Sequence, residues 1–231
     1  TEIYTLSLHD ALPISRTPGI ITCVALGRQW RLTRVADLES LWDQIGQDDL
    51  DQDERLPYWV ELWPASLALA EWLGEQRARV AGRRVLDLGC GLGFTALAAA
   101  SLGGRVLGLD YEPAALRHAV ANARENGVAG AAFACMDWRA PALRPGSADL
   151  VVAGDVMYEK RFAQPVADFL DFALAPRGLA WVAEPNRAVY KHFAELLAGR
   201  GWRMDRLRTV GVPQEERIVT VNLWEIARPG A

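Results

Sequence analysis

Asp87-Leu88-Gly89-Cys90-Gly91-Leu92-Gly93 follows the apolar pair Val85-Leu86 and precedes a helix-patterned run from Phe94 to Leu102. That order predicts a strand, a glycine turn and a helix. Glycines at alternate positions let the backbone turn sharply and approach a ligand without Cβ obstruction, and the helix start beyond them offers free N–H groups. The turn is therefore a candidate site for a polar ligand.

A glycine turn alone is a weak signal, and the next strand sharpens it. Arg105 to Leu109 is a second short apolar run that ends in Asp110, about twenty residues beyond the glycines, where the ribose-binding carboxylate of a nucleotide-binding βαβ unit belongs. In the dinucleotide pattern G-x-G-x-x-G the third glycine would fall at Phe94, and it is missing. Instead a carboxylate, Asp87, stands just before the turn. This favours a ligand with a ribose and a cationic end over a pyrophosphate.

On these residues the chain resembles the seven-strand, class I S-adenosylmethionine-dependent methyltransferases, whose first motif V-L-D-L-G-x-G-x-G is matched by Val85 to Gly93. Acids closing the second strand (Asp110), following the third (Asp137) and in the turn after the fourth (Asp155) fall in the family's order. The resemblance spans residues 20–228. It implies an α/β Rossmann-like doubly wound sheet, mostly parallel with an antiparallel C-terminal edge hairpin, and S-adenosyl-L-methionine as cofactor. The bland alternative is an ordinary α/β turn with incidental acids.

Composition sets bounds on this reading. A length of 231 residues with 51% hydrophobic content fits one α/β domain with a modest N-terminal addition. No apolar run approaches the roughly 18 residues needed to span a membrane, and no signal-peptide pattern is present, so a soluble cytoplasmic protein is expected. Cys23, Cys90 and Cys135 lack disulfide-framework or metal-ligand spacing, and His9, His118 and His192 are scattered, so no metal is expected. The net charge of −4 argues against a broad phosphate-neutralising face and hence against nucleic acid as partner. Lys160 and Lys191 are the only lysines, and this arginine bias points to a GC-rich bacterial source. Oligomeric state is not addressed by any pattern.

The chain starts with Thr1, and residues 1–15 resemble a peptide produced when sequencing-adaptor DNA is translated; they are set apart as non-native. The alternative is a genuine N-terminal arm. Residues 16–56 form an N-terminal extension: strands Ile20 to Leu26 and Gln29 to Val35 around Gly27-Arg28, a short helix from Asp37 to Ile45, and an acidic connector from Asp48 to Glu54. The connector reads as a solvated loop, or more sharply as a lip attracting a basic substrate. Residues 57–231 form the methyltransferase domain.

That domain opens on Pro57-Tyr58-Trp59-Val60-Glu61-Leu62-Trp63-Pro64, a proline turn with three aromatics leading into a helix from Ser66 to Leu73. Pro64 suits the helix's first turn. The aromatics could be core packing. In the protein-lysine branch of the family, a W-P-A segment precedes the first strand and its tryptophan borders the cofactor, a position that Trp63 matches. Strands and helices then alternate: helix Pro113 to Asn126, strand Ala132 to Cys135, strand Leu150 to Ala153, helix Arg161 to Leu174, strand Leu179 to Ala183, helix Arg187 to Ala198. This implies a parallel sheet with both faces covered. Arg203 to Val210 and Ile218 to Ala227 follow without a helix between them and should form the antiparallel edge hairpin.

Each part of the implied cofactor has a matching group. The ammonium and carboxylate of its amino-acid end suit Asp87 and the N–H groups around Gly89, Gly91 and Gly93; the ribose hydroxyls suit Asp110; the adenine amino group suits Asp137, with Trp138 beside the ring. Tyr111 and Gly154 complete the cofactor set. The acceptor belongs near Gly154-Asp155-Val156-Met157-Tyr158, because ligands of open α/β sheets gather at the strands' carboxyl ends. This stretch resembles the D-x-x-Y element of the protein-lysine branch and departs from the N-P-P-Y element of enzymes acting on DNA bases or glutamine. Asp155 is assigned to aiming the incoming amine and Tyr158 to lining its channel. Cys90, inside the turn, is read as structural and not as a nucleophile.

The resemblance thus implies N-methylation of a lysine side chain of a protein. Alternatives are a small-molecule amine acceptor of the nicotinamide kind, or a non-catalytic module that binds the cofactor and serves interaction; the intact acids Asp87, Asp110, Asp137 and Asp155 weigh against the last. The segment from Glu184 to Tyr190, expected at the acceptor mouth, names no substrate.

Overall fold

The computed structural model describes residues 15–17, 19–35, 57–215 and 217–230. The segment 1–14, the helix predicted over 37–45 and the acidic connector lie outside the described residues.

The strand predicted before the glycine turn is β4 (Arg84–Leu88), and the helix after it is α3 (Phe94–Ser101). The acid-terminated run is β5 (Arg105–Asp110), followed by α4 (Pro113–Glu125) and β6 (Ala131–Cys135). On the other side of β4 lie β7 (Ala148–Gly154) and β8 (Leu174–Glu184). The chain ends in β9 (Arg203–Gln214) and β10 (Arg217–Ala227), which pair antiparallel with each other, and β10 runs antiparallel to β8. The seven strands stand in the order β6-β5-β4-β7-β8-β10-β9, with β4 to β8 parallel to their neighbours among β6, β5, β4, β7 and β8. This is the Rossmann-like sheet and edge hairpin that the sequence implied.

Strand alternation divides the core into two layers. Leu86 and Leu88 point to the face covered by α5 (Ala163–Ala173) and α6 (Val189–Gly199), where Phe169, Leu170 and Phe193 are buried. Val85 points to the opposite face, under α3 and α1 (Pro64–Glu75), with Leu69, Leu73 and Ala96. Asp87 shares the parity of Val85 and is therefore buried beneath α3. Pro64 occupies the first turn of α1, where its missing N–H is without cost.

One expected helix starts differently, and one short helix is additional. The predicted helix from Arg161 begins as a 3-10 turn (Lys160–Phe162) before α5, and a short α2 (Arg77–Val80) links α1 to β4. The strand expected from Leu179 begins at Leu174, with an irregular register between Ala148 and Leu150.

A separate three-stranded sheet, β1 (Ser15–Thr17), β2 (Ile20–Ala25) and β3 (Arg28–Thr33), packs Ile21, Trp30 and Leu32 against Phe94 and Leu97 of α3. Strand β1 was not expected from the sequence. Asn122 of α4 pins this sheet to the glycine turn: its amide oxygen accepts from Thr33 N at 2.7 Å and its amide nitrogen donates to Leu92 O at 3.0 Å. Asn126 closes the backbone groups of Arg31 in the same way. A buried Arg34–Glu61 ion pair joins the sheet to the aromatic segment before α1.

Candidate functional site

The strand order reverses direction between β4 and β7, and a crevice must open there at the strands' carboxyl ends. A cavity of about 300 Å³ occupies it. Gly89 contributes from β4, Asp110, Tyr111 and Glu112 from β5, and Trp138 from beyond β6. Gly154 closes β7 and Asp155, Val156, Tyr158 and Glu159 follow it, Arg187 follows β8, and Tyr58, Trp59 and Trp63 reach in from the segment before α1. A neighbouring cavity of about 150 Å³ shares the walls Tyr111, Trp138 and Tyr158 and adds Asp137, Arg139 and Phe162.

The glycine turn works by close approach. Gly89, Gly91 and Gly93 all have positive φ (66°, 50° and 86°). A Cβ on Gly89 would stand 2.8 Å from Val156 Cγ1, and one on Gly93 would stand 2.8 Å from Ala119 Cβ. Gly89 reaches the cavity wall, whereas Gly91 and Gly93 shape the loop behind it. Asp110 holds that loop: its carboxylate accepts from Gly91 N at 2.8 Å and from Glu112 N at 2.9 Å. Burial pushes the Asp110 carboxyl up, and the hydrogen bonds from Glu112 and Gly91 oppose this. With up to four acceptor sites, the carboxylate retains capacity for ligand hydroxyls.

Asp87, expected at the amino-acid end of the cofactor, lies beneath the turn. It is 1% exposed, does not line the cavity, and accepts from the Ala96 N–H in the first turn of α3; its Oδ2 has no hydrogen-bond partner. Burial drives its pKa well above the usual carboxylate value. Cys90 is likewise buried, and burial pushes its thiol well up, which makes it unreactive.

Asp137 faces the neighbouring cavity, where Arg139 binds it through Nε at 2.8 Å and Nη2 at 2.7 Å. Trp138 walls both cavities. Trp63 lines the main one and is fixed by its indole N–H, which donates to Tyr58 O at 3.0 Å.

At the acceptor end, Asp155 has φ of 55°, a left-handed conformation that Asp and Asn tolerate best among residues with a side chain. Its N–H donates to Ala183 O at 2.9 Å, which anchors the turn to β8. Its carboxylate, 4% exposed, is gripped by Arg187 through Nε at 2.5 Å and Nη2 at 2.7 Å. Burial raises the Asp155 carboxyl while Arg187 pulls it back. Tyr158 stacks edge-on with Tyr58 at 5.2 Å and Phe162 at 4.8 Å, and burial pushes its hydroxyl up, so it remains neutral.

Behind Arg187, the buried Glu184 accepts from Arg187 N at 2.6 Å, Asn222 Nδ2 at 2.8 Å and Trp224 Nε1 at 3.2 Å. Sequence reasoning placed the segment from Glu184 to Tyr190 at the cavity mouth without singling out Arg187, and it missed Glu112 and Glu159 as wall residues. The available signals were the acid two residues beyond Asp110 and the Glu184-Pro185-Asn186-Arg187 turn closing a strand. Among the described residues, no three His, Cys, Asp or Glu side chains are grouped to hold a metal ion, and no helix is long and apolar enough to cross a membrane.

Comparison with known proteins agrees with this architecture. The family described as a methyltransferase domain matches residues 80–206, more than half of the chain. The electron transfer flavoprotein beta subunit lysine methyltransferase of Xenopus laevis is 34% identical over 140 residues, covering 58% of this chain and 54% of that protein. The chain spans about half the length of these flavoprotein-directed relatives. The ribosomal protein L11 methyltransferase of Thermus thermophilus is 28% identical over 209 residues, covering 71% and 75% of the two chains. Among solved structures, the T. thermophilus 16S rRNA N2 G1207 methyltransferase in complex with AdoMet and guanosine superposes with a TM-score of 0.64 at 18% identity, over 94% of this chain and 52% of that one. At that identity the likeness concerns the fold.

Proposed function

We propose, from the premise that the chain belongs to the methyltransferase domain family, that it transfers the methyl group of S-adenosylmethionine to the side-chain amine of a lysine in a protein. The observation that carries this reading is a buried carboxylate, Asp155, set among the rings of Tyr58, Trp63 and Tyr158 at the switch-point cavity. An acid among aromatic walls suits an amine at the end of an apolar stem, which is the chemistry of lysine. The relatives named for lysine and for L11 methylation support a protein acceptor.

The cavity's donors and acceptors fit the cofactor. Asp110 offers acceptor capacity to ribose hydroxyls, Gly89 brings bare backbone to the wall, and Asp137 with Tyr111 and Trp138 offers an acceptor and aromatic faces suited to adenine. Asp87, beneath the turn, accepts from the first turn of α3 and steadies the turn from behind. The cofactor supplies a methyl carbon already activated by its sulfonium, so the protein's work is positioning and exclusion of water. Asp155 aims the nitrogen and the rings hold its stem.

The test is incubation with radiolabelled methyl donor and a cell lysate, followed by separation of protein from small molecules and hydrolysis of the protein fraction. Label recovered as methyl-lysine supports the reading. Label in the small-molecule fraction would replace it with a small-amine acceptor, and donor binding without any transfer would leave a cofactor-binding module.

A further inference from the structure

A lysine amine presents a protonation problem. With a pKa of about 10.4, only about one molecule in 2,500 is free of its proton at pH 7. A bare carboxylate beside it would raise that pKa and hold the amine in the unreactive ammonium form. The Asp155 carboxylate is not bare. Both of its oxygens are engaged by Arg187, the one cation among the described residues lining the cavity.

We propose that Arg187 cancels the charge of Asp155, so that the site admits the acceptor amine in its neutral, reactive form. The inference rests on the amine-acceptor reading above. Arg187 acts through Asp155 and is therefore a positioning residue.

Three features support the assignment. The pair is sheltered: the Asp155 side chain is 4% exposed and that of Arg187 34%, so solvent screens it weakly from the amine's side. The guanidinium is fixed from behind, because its own backbone N–H is held by Glu184, whose carboxylate is in turn held by Asn222 and Trp224. Finally, Arg187 engages Asp155 in the fork geometry that only arginine supplies, which sets a fixed positive charge against one acceptor site on each oxygen and leaves the remaining sites to the N–H of a neutral amine.

The other charged or titratable groups facing the pair are Glu184 on β8, Tyr190 on α6, Tyr158 and Glu159 beyond β7, Tyr58 on the lip, and Asp110, Tyr111 and Glu112 across the cavity. Burial pushes the hydroxyls of Tyr158 and Tyr190 upward, away from ionisation. Glu184 is occupied by three donors. Glu159 pairs with Arg161, and Asp110 and Glu112 accept from backbone N–H groups, so Asp155 is the facing acid whose charge compensation rests on Arg187.

The experiment uses n-butylamine as a lysine surrogate with the full chain loaded with S-adenosylhomocysteine, which prevents turnover. Binding is followed between pH 7 and 10.5 by the fluorescence of the cavity tryptophans Trp59, Trp63 and Trp138. Wild-type affinity should rise with pH, approaching tenfold per unit, as the neutral fraction grows. Arg187→Gln should reverse the trend, binding the ammonium tenfold or more tightly than wild type at pH 7 and losing affinity toward pH 10.5. Arg187→Lys should keep the wild-type direction.

An Arg187→Gln profile parallel to wild type would overturn the proposal. So would wild-type protein that binds butylamine better at pH 7 than at pH 10.5, or not at all, and that arm does not depend on any variant folding. Failure of the lysine reading itself would appear separately, as absence of methyl-lysine in the lysate experiment.

Discussion

The two ends of the cavity hold their acids by different means. At the β4–β5 end, Asp110 is fixed by backbone N–H groups of Gly91 and Glu112, and Asp87 by the N–H of Ala96. At the β7–β8 end, Asp155 is fixed by the side chain of Arg187. Backbone donors carry fixed partial charges and cannot swing away, so the first end is rigid, which suits the cofactor proposed to lie there. A side-chain cation can be exchanged by substitution without altering the turn, so the second end, the proposed acceptor side, is open to tuning.

The largest effect should come from cutting the side-chain-held acid. Asp155→Asn preserves the left-handed backbone, because Asn tolerates positive φ as well as Asp does. It removes the charge that Arg187 grips and, on the proposed reading, the group that aims the amine. Methyl transfer should fall on the order of a hundredfold or more, the scale expected when a reacting atom is no longer held in line. Affinity for cofactor should remain within a few-fold of wild type. The measurement needs saturating cofactor so that lost affinity does not imitate lost chemistry. A variant that loses cofactor binding would erase the distinction between the two ends.

A smaller effect, on the other end, is expected for Asp110→Ala. The change orphans the N–H groups of Gly91 and Glu112 and removes acceptors from the cavity wall. Cofactor affinity, measured by calorimetry, should weaken by about 1 to 3 kcal/mol. The residual rate at saturating cofactor should change far less than in Asp155→Asn. Equal damage to both quantities would show that the two ends do not act separately.

The same contrast explains what the sequence disclosed. The cradle is local: Gly89 to Gly93 and Asp110 lie within one βαβ unit, so spacing and residue type place them. The parallel sheet and edge hairpin follow from alternation and from the missing helix between Arg203 and Ala227, whereas the strand order does not. The acceptor end depends on Asp155 meeting Arg187, 32 positions away on the next strand, and no local pattern announces a pairing across two strand ends. Asp137 shows the opposite limit. Its order after the third strand was legible, but its ion pair with Arg139 and its place on the neighbouring cavity depend on how the loop turns. The position of Asp87 was within reach: strand parity sets it opposite Leu86 and Leu88, beneath the helix that follows.

The smallest expected effect concerns Asp87 and tests whether the cradle's buried acid belongs to stability more than to binding. Burial raises its folded-state pKa well above the ordinary value of 3.8, with the Ala96 hydrogen bond opposing and the charge of Asp110 adding to the rise. Below the unfolded pKa both states hold the proton, and the group favours neither. As pH rises beyond that value the unfolded chain releases its proton while the folded chain retains it. Stability therefore falls with pH, by up to about 1.4 kcal/mol per unit for one group, until the folded pKa is reached. Asp87→Asn removes this group's share of the slope. Relative to wild type, the variant's denaturation midpoint should gain as pH is raised from 4 to 7, and the difference should be least at pH 4, close to the ordinary carboxyl value, where the unfolded chain still holds part of its proton. Asp110, also raised by burial, remains in the variant and keeps part of the slope. Parallel midpoint curves for the two proteins would mean that Asp87 is ionised in the folded chain. In that case its charge, placed at the first turn of α3, would have to be assigned to the ligand after all.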